Sequence, residues 1–222
     1  MSCSETDPVE QPVEYYFEGA HIETVPDFCY LGDVIGNTGG CMDAVTARIK
    51  SAWKSFRELL PLLTNKAKSP RHRDDVFSAC VRSVLLHASE TWPVTVEDQR
   101  RLYNTDNAMV RWMCGKKISD RVRLSSMHQE IGVSSLEICL RIRRLRWFGH
   151  LERQPADAWP NAVRHFVVPG TAPRGRPKKR WQDCVNADLR SLKLKKDDAM
   201  DRDRWRCLIR KPSQPKESNP QG

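Results

Sequence analysis

The sequence predicts a mainly α protein: a small N-terminal β-hairpin element, then a helical thumb-like bundle, then a helical C-terminal unit. Three observations carry that prediction. Apolar residues recur three to four apart through most of residues 41–209. Residues that start and stop helices bracket those stripes. Aromatic and β-branched runs with Gly and Pro punctuation are confined to residues 14–35.

Residues 1–13 contain Glu5, Asp7 and Glu10 with Pro8 and Pro12, and are expected to form a disordered acidic tail. Tyr15 to Phe17, Ile22 to Val25 and Phe28 to Ile35 read as three short strands of one hairpin element over 14–36, split by Gly19 and by Pro26-Asp27. A Gly/Asn turn then ends at Gly40. Met42, Val45, Ile49, Trp53, Phe56 and Leu60 form one apolar helical stripe, which Pro61 should end or kink. Ser69-Pro70 opens a second helix to about Ser89, with Phe77, Cys80, Val81, Val84 and Leu85 inward. Thr95 caps a third through Met113, and Gly115 stops it, which closes a bundle over 41–115.

The segment 116–153 reads as basic helices. Ser125 to Ile131 is short and closed by Gly132. Ser134-x-x-Glu137 matches a capping box and starts a helix over 135–153. Ile138, Ile142, Leu145 and Gly149 share one side of it, with Arg143, Arg146 and His150 on the adjoining arc. Residues 154–180 read as a Pro/Gly/Arg-rich linker, 181–210 as a final helical pair, and 211–222 as a disordered tail. Trp53, Trp92, Trp112, Trp159, Trp181 and Trp205 are expected to be core anchors.

The 222 residues carry 37 Lys+Arg against 28 Asp+Glu, a net charge of +9. Residues 1–40 hold eight acids and no Lys or Arg, so the remainder carries +17. A basic body of that size points to a polyanion, most simply nucleic acid. The N-terminal stretch has neither the basic nor the apolar region of a signal peptide, and no apolar run is long enough for a membrane span. The eight cysteines include no CxxC pair and read as reduced thiols. Cys114, His128, Cys139 and His150 are spaced too widely for a compact zinc module. The sequence contains no GxxxxGK[ST], GxSxG or HExxH. The pairs Asp74-Asp75 and Asp197-Asp198 fall at expected helix starts, where carboxylates favour the positive end of the dipole.

Two constellations suit nucleic acid. Residues 173–180 carry five cations (Arg174, Arg176, Lys178, Lys179 and Arg180), with Gly175 between the first two and a proline on either side of that Arg-Gly-Arg. An extended Arg-Gly-Arg strip fits a narrow minor groove, the pattern of an AT-hook; it equally fits a nuclear-import signal, hence a nuclear or nucleo-cytoplasmic location. The second constellation is Arg141, Arg143, Arg144 and Arg146 with Trp147 and His150. Guanidinium forks match phosphates and an aromatic ring can stack on a base. The alternative is a solvated helix face with Trp147 in the core.

Seven segments then follow one another in a familiar order: VPDFCYLGDVI (25–35), ARIKSAWKSF (47–56), CVRSVLLHASETWPVT (80–95), VRWMCG (110–115), RLRWFGHLER (144–153), RGRPKKRWQDCVNADL (174–189) and DRDRWR (201–206). The series resembles the C-terminal part of the endonuclease–reverse transcriptase polyprotein of non-LTR (LINE-type) retrotransposons, over about residues 14–210. The resemblance implies that Phe28, Tyr30, Leu31 and Gly32 belong to a primer-grip hairpin at the end of a polymerase palm. It implies a thumb over 41–115 and a post-thumb region that contacts RNA or DNA. The family is an RNA-directed DNA polymerase whose catalytic aspartates lie in a YxDD-type motif, and no such motif occurs in this sequence. Mg²⁺ would belong to that palm. The expectation is therefore a non-catalytic chain, without a cofactor of its own, that makes backbone contacts to nucleic acid; a separate catalytic palm fragment or an acidic protein is a further expected partner. A helical protein-interaction scaffold, an unselected retroelement relic and a trans-acting part of a split polymerase are the alternatives.

Overall fold

The computed structural model describes residues 15–36, 40–155, 157–166 and 179–210. The expected tails at 1–13 and 211–222, and Arg174, Gly175, Arg176 and Lys178 of the basic strip, lie outside the described residues.

The described chain is mainly helical, with its strands at the N-terminal end. Strands β1 (Tyr15–Phe17) and β2 (Ala20–Ile22) pair antiparallel, with Tyr15 opposite Ile22. Strands β3 (Asp27–Tyr30) and β4 (Asp33–Gly36) form a second antiparallel pair, with Tyr30 opposite Asp33. Each hairpin turns on two residues of positive φ, Glu18-Gly19 and Leu31-Gly32. Two such residues give the turn whose twist matches its strands. Phe28 to Ile35 is therefore a hairpin, not the single strand its composition suggests.

Helix α1 (Met42–Glu58) ends at Leu59, and α2 (Leu60–Leu63) restarts with Pro61 in its first turn, where the missing N–H costs nothing. Helix α3 (Pro70–Val76) is capped by Ser69, whose Oγ accepts from the His72 amide at 3.2 Å. It continues through a π-helical stretch, Phe77–Arg82, into α4 (Ser83–Leu85). Helix α5 (Val96–Met113) starts with a full capping box between Thr95 and Asp98. Helix α6 (Leu124–Ile131) closes on Gly132 at φ 87°.

Helix α7 (Leu136–Glu152) is capped by Ser135, not by Ser134: the Ser135 Oγ accepts from the Glu137 amide. Helix α8 (Trp159–His165) lies within the stretch that composition marks as linker, with Pro160 in its first turn. Helix α9 (Trp181–Leu192), a 3₁₀ turn (Lys196–Ala199) and α10 (Arg202–Leu208) follow. Asp198 accepts from the Lys195 amide, the capping role expected of it. Asp74 instead sits inside α3 and accepts from Ser78 Oγ.

Two apolar cores result. The first gathers Val45, Phe56, Phe77, Leu85, Leu102 and Met109. The second gathers Leu145, Phe148, Val185, Ala199, Trp205 and Ile209. Helix α7 serves both: Leu136 and Leu140 pack in the first, Leu145 and Phe148 in the second. Among the described residues, no helix is long and apolar enough to cross a membrane.

A buried ion pair ties the first core to the start of α7. Arg82 donates from Nε and Nη2 to the two oxygens of Asp106, each at 2.7 Å, and from Nη1 to the Ser134 carbonyl at 2.7 Å. Burial opposes the Arg82 charge, but the hydrogen bonds and the negative charge of Asp106, with smaller help from Cys139 and Asp74, together outweigh it and hold the guanidinium above its ordinary value. Removing the anion leaves a desolvated cation. Asp106→Asn is expected to lose roughly 3–5 kcal/mol in denaturant unfolding, whereas breaking the exposed Glu97–Arg100 pair by Glu97→Gln leaves the midpoint where it was.

His128 sets a pH dependence of known sign. Burial pushes its pKa below the ordinary 6.5. The native state then binds fewer protons than the unfolded chain in the window just under 6.5, so stability is present above that window and is lost as the pH falls. His128→Gln should flatten the stability curve between about pH 5 and pH 7, measured as denaturant midpoints at each pH.

Candidate nucleic-acid interface

At 3.6 residues per turn, Arg141, Arg144, Leu145 and Phe148 fall in one sector of α7, and Arg143, Arg146, Trp147 and His150 fall opposite. The protein interior claims the first sector, where Leu145 and Phe148 pack into the second core. Arg141 is 3% exposed and Arg144 7% exposed. Arg144 Nη1 donates to Asp188 Oδ2 at 2.6 Å. Burial raises the Asp188 pKa, and Arg144 pulls it back only in part. Arg141 and Arg144 therefore face the protein interior, contrary to the phosphate-contacting role expected of them. Arg143 is half-buried and donates to Glu90 Oε1 at 2.9 Å and to the Leu86 carbonyl at 3.3 Å.

The opposite sector opens onto a groove of about 760 Å³. Arg146, Trp147, His150 and Arg153 line it from the α7 side, and Arg202 and Arg206 line it from α10. Trp147 and His150 stack with ring centroids 5.3 Å apart. Of the residues lining this groove, Glu90 is the one acid.

Arg153, Arg202 and Arg206 are not among the residues the sequence singles out. Arg202 and Arg206 stand four apart, so they share a face of α10 while Trp205 turns inward, 1% exposed. What brings that face to α7 is Gly149. A Cβ built there would sit 2.7 Å from Trp205 Cδ1, closer than side chains tolerate. With hydrogen in that place, the indole lies against the helix and its Nε1 donates to the Leu145 carbonyl at 2.9 Å. A glycine on the apolar face of an arginine-rich helix is the signal in the sequence that another element comes close.

The hairpin tip reaches the same region. The Leu31 carbonyl lies 3.3 Å from His87 Nε2, and the Gly32 carbonyl accepts from Arg48. Phe28 and Tyr30 stack at 6.5 Å on the exposed surface. Tyr30 and Leu31 line a groove of about 660 Å³ that shares Ala88, Glu90 and Arg143 with the larger one. Tyr30 and Leu31 of the hairpin tip thus border the same surface as Arg143.

Of the basic strip, Lys179 Nζ donates to the Val94 carbonyl at 3.0 Å, and Arg180 is exposed at the start of α9. Two tryptophans depart from the expected core role: Trp159 is 78% exposed and Trp112 49% exposed. Among the described residues, no group of three or more His, Cys, Asp or Glu side chains is placed to hold a metal ion. No family model, curated protein or solved structure matches the chain.

Gly149→Ala should force Trp205 off α7. Overpacking of this kind costs about 1–3 kcal/mol, read as a shift of the denaturant midpoint. Loss of near-ultraviolet dichroism from the displaced indole is expected with it.

Proposed function

We propose that the chain binds nucleic acid through sugar-phosphate contacts, as a non-catalytic C-terminal part of a LINE-type reverse transcriptase. One observation carries the binding: Arg143, Arg146 and Arg153 on one side and Arg202 and Arg206 on the other face a single groove, with Glu90 as its one acid. Arginines from segments about fifty residues apart converge there. Guanidinium groups held in a groove repel one another and attract a polyanion. The seven ordered sequence segments support the reverse-transcriptase origin. In this reading the carboxylates that position two metal ions for polymerisation belong to a palm elsewhere, and this chain grips the strand. The cations of 174–180 offer further partners for phosphate and favour a nuclear location.

Affinity arising from phosphate neutralisation falls steeply with salt. With four or five phosphates neutralised, log K against log salt should have a slope of about −4 on duplex DNA. Arg206→Ala should weaken binding uniformly across sequences and reduce the slope by about one. Fluorescence anisotropy over a salt series measures both. A slope near zero, or unchanged affinity when Arg146 and Arg206 are both replaced by Ala, overturns the proposal.

A further inference from the structure

We infer that the groove takes a single strand in preference to a duplex, with an unstacked base against Trp159; this rests on the nucleic-acid reading above. A second cleft of about 650 Å³ adjoins the basic groove, and the two share Thr91 and Trp147 as wall. Its other indoles are Trp159 and Trp181, and Arg180 and Lys196 also line it. No carboxylate is among its lining residues.

The exposure of Trp159 is built into the fold. Helix α8 is tied to the body by Arg164, which pairs with Glu152 at 2.6 Å and lies over the Phe148 ring at 5.3 Å. Asn161 Nδ2 donates to the Pro155 carbonyl at 3.0 Å. Trp181 is fixed as well: its Nε1 donates to the Glu90 carbonyl at 2.7 Å. The anchored helix leaves one large indole facing water beside two others.

Trp147 stands between the two clefts. Five arginines line the groove on one side of it, and Trp159 and Trp181, with Arg164, Arg180 and Lys196 beside them, line the cleft on the other. A single strand can use both, with phosphates along one edge and bases along the other. A duplex offers its phosphates but hides the faces of its bases, so it can use only the arginine side. Stacking on an aromatic side chain requires a base that is already unstacked, and any base serves, because every base has a π-face.

The test uses the full chain and three labelled probes of about 15 nucleotides, oligo(dT), oligo(rU) and a mixed-sequence DNA duplex. At equal salt, at least one of the single strands should bind about ten-fold more tightly than the duplex, and the two single-strand arms show which sugar is preferred. Trp159→Ala should weaken single-strand binding about ten-fold and leave duplex binding unchanged, while Trp159→Phe keeps most of the affinity. Equal affinity for single strand and duplex, or an equal loss on both from Trp159→Ala, overturns the inference and leaves the backbone-binding reading standing. Absence of salt-dependent binding to every probe overturns both. Poly-glutamate that competes as well as oligo(dT), with the same sensitivity to Trp159→Ala, assigns the cleft to an acidic protein and overturns the inference too.

Discussion

A guanidinium that leaves water must exchange its hydration for an anion or for carbonyls in fixed geometry, and it is tolerated in an interior only where that exchange is available. This constraint sorts the arginines of the chain. Arg82 meets both oxygens of Asp106 and the Ser134 carbonyl. Arg73 donates to the Met113 carbonyl, and Arg144 to Asp188. Each of these contacts crosses between segments distant in sequence, so the inward cations act as struts. Arginines whose helix direction offers no such partner point outward, and on α7 and α10 they point into one groove.

Helix α7 is where the sorting matters most. One stretch of it packs into the first core and the next into the second, so it is covered on more than one side. Its apolar residues consequently do not form a single stripe. The Gly149 contact then fixes how closely α10 approaches, because the indole of Trp205 lies where a Cβ would be. The position of Arg202 and Arg206 relative to Arg146 is thus a packing outcome. Core and interface share a helix, and a fault in one reaches the other.

Features that act locally were legible in the residues. Ser69-Pro70, Thr95 and Gly132 mark helix ends through interactions spanning a turn or less, and the structure has them there. Ser134 and Ser135 are adjacent, and either could cap; the choice depends on the packing of the following turn, which spacing does not record. Helix α8 was hidden because proline reads as a breaker, while in a first helical turn it is compatible. The arginine-dense segment was half legible. The arc of Arg143, Arg146 and His150 follows from helix geometry; Arg146 and His150 are exposed, and Arg143 is half-buried against Glu90. Counting Arg141 and Arg144 with them follows from charge density, which carries no direction. Arg202 and Arg206 were illegible as site residues because their partners lie some fifty positions upstream.

The hairpin tip and Glu90 meet at one groove, and each is held there by its own contacts. Leu31 holds a left-handed conformation, φ 48°, while 81% exposed. For a bulky side chain that backbone costs about 1–2 kcal/mol. The carbonyls of Leu31 and Gly32 offset the cost by meeting His87 and Arg48, which fixes the tip beside the end of α4. A few residues on, Glu90 accepts from Arg143 through its carboxylate and from Trp181 through its carbonyl. It lines both the hairpin groove and the basic groove. Its charge neutralises Arg143, and its backbone holds the indole that walls the neighbouring cleft. The acid in the basic groove therefore ties α7 to α9 beside the hairpin tip, and the outer Arg146, Arg202 and Arg206 stay exposed.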